Sequence, residues 1–530
     1  MLERLAVDAC FSSTPVTTPH IMTKRKSDAP HEADPAERKN STKKPKPKPQ
    51  KAAVVVPLHK LSSGQPVTIQ IVAGSYDRVL HGITATVNPS ILFPTENKKS
   101  ENGAKASKAV NFADTFLFDA HSSSIRCLAL SPPSAPIPGQ TQKVLLATGS
   151  TDERINIFNI SAHPPSTRSA DDQKILSTLT PRPVLENNQN RELGTLLHHS
   201  SNITRLAFPN RSKLLSASED STIGVARTRD WALLHSFKCP VPKQMGRPSG
   251  DTAAVGGGPS GVNDFAAHPS NKIMFSVSKG EHCMRLWNLE TGKKARVLNF
   301  ERQALAEIGE GRHSTGEARR IVWGSADGED EFAVGFDRDA LVYGMDCRPK
   351  CRLMQDTKTK IHEMCYVKTE GDETVVAVST EDGRILFFST AKENITAPVE
   401  EKEKETTKKN ARTLSSATMV AQLGGKEAGV TGRIKDFTVL PVENEDGERS
   451  WFIATGGSDG KVRLWRLEAG DLRSTGEQGK QVGKLLGTYE TQNRITCLGA
   501  FVMIPRPDGS EESEFEFESD EDDESDGDDE

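Results

Sequence analysis

Two constellations in this 530-residue chain carry the residue types of acyl-transfer catalysis. His121 precedes Thr148 and Asp152, and His199 precedes Ser216 and Asp220, so a base, a hydroxyl and an acid recur in one order. A hydrolase needs such a set, with the imidazole taking the hydroxyl proton and the acid holding its tautomer. The spacing points to another use. Thr148 and Ser216 each stand four residues before their acid, and His121 and His199 each stand four before an apolar run opened by Ile125 or Ile203. An acid at a tight turn accepts from turn amides, and a His, a Ser or Thr and a bulky residue on the next strand complete a structural network. Phe158 and Ala226 hold that bulky position, so neither set is complete.

Two further signals point away from catalysis on inspection. The run Gly256-Gly-Gly-Pro-Ser-Gly261 matches a dinucleotide fingerprint in letters, but no strand precedes it and Pro259 interrupts it. Cys347, Cys351, His362 and Cys365 reach a zinc ligand count. His362 and Cys365 are three apart on an expected strand, however, and so point to opposite faces. Neither GxxxxGK[ST] nor HExxH occurs. A non-enzyme without cofactor or metal is the expectation.

The elements that would position these residues are repeated. Ala454-Thr-Gly-Gly-Ser-Asp459-Gly-Lys-Val-Arg-Leu-Trp465 reads as strand, Asp-Gly turn and strand. An acid six before a bulky residue recurs at Asp77/Ile83, Asp152/Phe158, Asp220/Ala226, Glu281/Trp287, Asp337/Tyr343 and Asp382/Phe388. A second element begins at Ile125, Ile203, Val262, Ala318, Ile361, Ile434 and Ile495. The first hairpin has no such strand before it, and the last such strand has no hairpin after it. Closing a ring resolves both defects, because the C-terminal strand then becomes the inner strand of the first unit. The expectation is an all-β, seven-bladed β-propeller over residues 67–503. Polar or charged insertions near 88–111, 161–190, 239–261, 301–316 and 391–413 stretch the repeat beyond about 40–45 residues.

Charge is segregated. Only 35% of residues are hydrophobic and 27% are charged, so part of the chain is expected to be solvated polymer. No stretch approaches the roughly 20 apolar residues of a spanning helix. The net charge of −5 conceals fourteen acids and no Lys or Arg in 511–530, ten Lys/Arg against four acids in 21–52, and a body of about +4. A disordered basic extension over 1–66 is expected to carry a bipartite nuclear import signal, Lys24, Arg25, Lys26 with Lys43, Lys44, Lys46. A disordered acidic tail over 504–530 offers Ser513, Ser519 and Ser525 to acidophilic kinases and can shield basic partners. Few cysteines at irregular spacing suggest a reduced, intracellular setting.

Without catalytic chemistry the ring is a binding platform. Positions two and four after the hairpin acid should face away from the apolar set by strand alternation. They include Arg154, Arg285, Arg384, Lys461 and Arg463, an expected basic partner-binding surface. The repeat positions His121, Asp152, His199, Asp220, Asp382, Asp459 and Trp465 are expected to be structural.

The ordered motifs are more specific than a generic repeat. Glu192-Leu-Gly-Thr-Leu-Leu-His-His-Ser-Ser-Asn-Ile-Thr-Arg-Leu206, Leu215-Ser-Ala-Ser-Glu-Asp-Ser-Thr-Ile223 and Asp230-Trp231 resemble one WD-repeat family. So do Ile71-Val-Ala-Gly-Ser-Tyr-Asp-Arg-Val-Leu80, Ile321-Val-Trp323 and Arg494-Ile-Thr-Cys-Leu-Gly-Ala500. It is the PAK-interacting protein 1 family, whose fungal members are of the maintenance-of-killer protein 11 type. The resemblance covers about 68–503. It implies a nuclear, nucleolar factor for maturation of the large (60S) ribosomal subunit, acting with the L24-like assembly protein, with indirect association with rRNA as a further expectation. Animal members are named for binding PAK-type kinases, a second implied role. The family pattern places a Lys-rich tail last, whereas here the basic segment leads and an acidic one trails.

Overall fold

A computed structural model describes residues 59–506, outside 62–64, 93–108, 138–139, 166–183, 242–259, 311–315, 370–372, 398–413, 445–446, 474–478 and positions 186, 188, 354 and 356. Lys24, Arg25, Lys26, Lys43, Lys44 and Lys46 lie outside the described residues, as do Ser513, Ser519, Ser525 and the middles of four expected insertions.

The described chain is all-β apart from short helical turns. One unit shows the rule: Ile125–Leu130, Lys143–Ser150, Ile155–Ser161 and Arg191–Leu196 pair in order as antiparallel strands. The first strand alternates buried Ile125, Cys127 and Ala129 with more open Arg126 and Leu128, the period of a strand with unlike faces. Its hairpin partners are almost wholly buried, because neighbouring sheets cover both faces.

The same four-strand order recurs behind Ile203–Asn210, Val262–Ala267, Arg320–Ala326, Ile361–Lys368 and Ile434–Glu443. The sheet starting at Arg320 and the one starting at Ile361 are further joined where Arg352 meets Ser416 in parallel. The remaining sheet is assembled from both chain ends: Ile495–Val502 pairs Val67–Ser75, which pairs Val79–Val87 and then Val110–Asp119. First strands of successive sheets touch in cyclic order, from Ile125–Leu130 round to Ile495–Val502 and back, so the fold is a closed, propeller-like ring.

Close approach between sheets sets the small residues in the second strands. A Cβ on Gly149 would meet Ile203 Cγ2 at 2.6 Å, and one on Gly456 would meet Ile495 Cγ2 at 2.9 Å. Each inter-sheet seam is filled with apolar side chains. Phe275, Trp323, Phe332 and Tyr343 stack through one of them. Burying each such ring contributes roughly 1.5–3 kcal/mol.

The structure moves several expected boundaries. His59–Lys60 pairs Val442–Glu443 in parallel and Leu61 is buried in the core, so the ordered fold starts before 67. At the other end, Ile504 N donates to Ala162 O at 2.8 Å. The expected polar insertion near 301–316 forms the helix Arg302–Glu307, which buries Ala304, Leu305 and Ile308 against Phe336 and its neighbours. Its apolar residues follow helical spacing, and that packing outweighs the polar composition around them.

Candidate binding mouth of the ring

Six of the seven hairpin acids lie at turns that return, through the same backbone hydrogen bond, to the starts of inner strands. The link is a repeated backbone hydrogen bond: Thr151 N donates to Ser124 O, Glu219 N to Asn202 O and Lys279 N to Gly261 O. Glu381 N donates to Lys360 O, Ser458 N to Arg433 O and Tyr76 N to Arg494 O in the same way. Turns and inner-strand starts therefore share one face.

His121 lies 3.0 Å from Asp152 and 2.9 Å from Thr148 Oγ1, and His199 lies 3.2 Å from Asp220 and 2.8 Å from Ser216 Oγ. Asp152 also accepts from Ser122 N and Arg154 N, and Asp220 from Ser200 N and Thr222 N. Burial alone would raise both carboxyls, but the neighbouring histidines and these amides bring them below the usual range. Both hydroxyls are buried in the sheet. The sets brace each turn against the start of the inner strand of its own sheet, which is structural work.

The expected basic surface is corrected by the structure. Arg285 is 4% exposed and paired with Glu281, and Arg463 is 5% exposed and donates to Asp459 at 2.7 Å. Arg384 donates to Asp382 and Gln422, and Lys461 pairs Glu490 at 2.7 Å. A tight turn brings the residue four after the acid back alongside the carboxylate, so such cations neutralise the turn and do not form an array. Arg154 alone of the five is exposed and has no carboxylate partner among the described residues. Trp465 Nε1 faces Thr455 Oγ1 at 3.4 Å inside the core. Cys351 is buried and its thiol is pushed up to about 12, while Cys365 is also raised by burial. Among the described residues, no group of three His, Cys, Asp or Glu could hold a metal.

The residues that converge are on the inner strands. Counting from each opening apolar residue, the third positions are Cys127, Arg205, Asp264, Arg320, Glu363, Asp436 and Cys497. Arg205 reaches across the ring, with Nη1 and Nη2 at 2.8 and 3.2 Å from the two Glu363 oxygens and Nε at 3.3 Å from Asp264. Arg320 Nη2 also meets Glu363 at 3.4 Å. Asp264, fully buried, accepts from Ile321 N of the next sheet, and Asp436 accepts from Leu498 N of its next sheet. Burial raises the Asp264 carboxyl. Burial and the Glu363 charge push Asp436 up to about 7, whereas Arg205 and Arg320 hold Glu363 low despite its own burial. Arg205 and Arg320 thus face Glu363 and Asp264 in a plug across the centre of the ring.

Above the plug, the second positions are Arg126, Thr204, Asn263, Arg319, His362, Lys435 and Thr496, all lining a concavity of about 540 Å³. The turn residues Tyr76, Glu219, Lys279 and Glu381 rim it. Lys279 pairs Glu219, Arg433 pairs Glu381, and Arg319 and Lys360 pair Asp337. Arg126, Lys435 and Arg494 have no carboxylate partner among the described residues, and they lie on three consecutive sheets. Burial, then Lys435 and Arg320, push the His362 imidazole down to about 4, and burial with Arg433 and Arg494 lowers the Lys435 amine. The field at the mouth is positive. An alignment of the inner strands against one another would have exposed both layers, because the charges stack at equivalent positions.

Two of these groups oppose each other in pH dependence. His362 is neutral in the fold where the unfolded chain, with a pKa near 6.5, binds a proton, so its contribution is lost as pH falls from about 6.5 through about 4. Asp436 is protonated in the fold where the unfolded chain has ionised, so its contribution is lost as pH rises from about 4 through about 7. Urea midpoints between these limits are expected to rise less steeply with pH in His362→Gln than in the parent, and more steeply in Asp436→Asn. Unchanged slopes in both variants would remove the assignment.

Comparison with known proteins agrees with this architecture. Residues 113–159 and 190–225 match the WD domain, G-beta repeat family. Those spans hold the two units in which the His, hydroxyl and Asp network is present. Protein MAK11 of Saccharomyces cerevisiae is 29% identical over 446 residues, covering 81% of this chain and 82% of that protein. A p21-activated protein kinase-interacting protein 1-like protein of Xenopus laevis is 22% identical over 75% of this chain and 76% of its own length. The Gallus gallus protein of the same name is 21% identical over 82% and 80%.

Proposed function

Because this chain is a WD-repeat protein similar over most of its length to Protein MAK11 and to p21-activated protein kinase-interacting protein 1-like proteins, we propose that it is a non-catalytic scaffold in nucleolar assembly and maturation of the 60S ribosomal subunit. The ring is read as a seven-bladed propeller that holds an L24-like pre-ribosomal protein. The observation carrying this reading is the similarity to Protein MAK11 across 81% of the chain, together with the family motifs in their order. The hairpin histidines and acids are engaged in bracing turns, which supports a role in binding. The basic arm fits import into the nucleus, and the acidic tail fits shielding of a basic partner. A basic assembly protein would avoid the positive mouth and dock elsewhere on the ring. A second reading, a regulator that binds a PAK-type kinase, is favoured by the names of the vertebrate relatives.

Purification of the tagged full chain is expected to bring down pre-60S particles with an L24-like protein and large-subunit rRNA precursors. Recovery of a kinase without ribosomal proteins would overturn the first reading in favour of the second.

A further inference from the structure

The open cations at the mouth are not distributed evenly. Arg126 stands on the inner strand Ile125–Leu130, Arg494 immediately before Ile495–Val502 and Lys435 on Ile434–Glu443, and these three strands are neighbours in the ring. They form one arc of two guanidiniums and an ammonium. The mouth acids Glu219, Glu317 and Glu381 belong to the other four sheets, where Glu219 holds Lys279, Glu317 accepts from Gly280 N and Glu381 holds Arg433. Within the cationic arc, Tyr76 is 60% exposed and lies under the Arg494 guanidinium, 5.8 Å from its ring centroid. Arg320, which belongs to the plug, also lines this space.

We infer that this arc is a docking site for a short acidic peptide segment of a partner protein, its carboxylates held by Arg126, Lys435 and Arg494. Three like charges with no paired carboxylate among the described residues repel one another, and carboxylates placed among them replace that repulsion with charge-assisted hydrogen bonds. A peptide fits better than a nucleic acid strand on two counts. Continuous phosphates leaving the arc would pass over Glu219 on one side or Glu381 on the other, whereas a short acidic segment ends within it. Single-stranded nucleic acid is also held by stacking on several aromatic rings, and Tyr76 is the only Phe, Tyr or Trp lining the mouth among the described residues. The inference goes beyond the ribosomal reading, since it names the chemistry of a ligand for the mouth and leaves the process open.

The test is fluorescence anisotropy on the full chain with a fluorescein-labelled Glu-Ser repeat peptide, a Lys-Ser peptide and oligouridylate as probes. The Glu-Ser peptide is expected to bind, and to lose at least about tenfold in affinity when Arg126→Ala, Lys435→Ala and Arg494→Ala are combined. Arg126→Lys with Arg494→Lys should retain most of the binding, and an unchanged melting temperature checks that each variant is folded. The chain's own acidic run could compete, so a full-length chain with the acids of 511–530 changed to Gln and Asn is measured alongside. Absence of Glu-Ser binding in both chains, or equal binding by the triple variant, overturns the inference. Tighter binding of oligouridylate that the triple variant abolishes also overturns it, in favour of a nucleic-acid site. No ribosomal component enters this assay, so its failure leaves the co-purification result standing.

Discussion

A chain lacking residues 495–502 is expected to be insoluble or to lose cooperative unfolding. That strand pairs with Val67–Ser75 from Ile69–Val502 to Ser75–Ile495, and it buries Ile495, Cys497, Leu498 and Ala500. It also touches the inner strands on both sides, so its removal opens two inter-sheet seams together with one ladder. The freed edge of Val67–Ser75 would present unpaired amides and carbonyls beside Ile69, Ile71 and Ala73, a template for pairing with other chains. A milder probe is Leu498→Ala, for which a loss of about 2–5 kcal/mol is expected from the deleted methyl groups and the cavity left behind. Size-exclusion chromatography and urea denaturation measure the two. A truncated chain that stays monomeric and melts like the parent would show that the ring does not depend on this closure.

The second large effect is at the centre. Glu363→Ala is expected to cost about 3–5 kcal/mol, because removing one partner leaves buried charges uncompensated. Arg205 would keep only Asp264, at 3.3 Å, and Arg320 would keep its Nε donation to the His362 carbonyl. Glu363→Gln, which keeps the shape and one acceptor oxygen, should lose less. The difference separates charge from packing. Pairing Glu363→Ala with Arg205→Met should recover part of the loss, since an apolar replacement for an ion pair is often tolerated. Urea denaturation of the three proteins decides the matter, and a Glu363→Ala midpoint equal to that of the parent would remove the plug from the account of stability.

Much of the fold was legible because strand alternation and Asp-turn spacing are local. The hairpins at Asp152, Asp220 and Asp459, and the pairing of the last strand with the first hairpin, followed from that spacing. The His121 and His199 networks were legible for the same reason, each being a turn and its neighbour. The plug and the mouth were not. Arg205, Asp264, Arg320 and Glu363 alternate with apolar residues as solvent-facing positions do, and only the narrowness of the ring turns those positions inward towards one another. The basic array failed on a single geometric point: Arg285 and Arg463 sit where the turn folds back on its acid. Helix Arg302–Glu307 was missed because its few apolar residues are surrounded by charged ones.

Ring closure also sets a schedule for synthesis. Gly74 and Thr496 are hydrogen-bond partners 422 residues apart. At roughly 5–20 residues per second, the first hairpin waits about 20–80 s for its inner strand. During that interval an apolar, unpaired edge is exposed on every nascent copy. Chains emerging from neighbouring ribosomes on one message carry the same edge, so the yield of folded protein should depend on how densely its message is translated and on whatever chaperone covers that edge first.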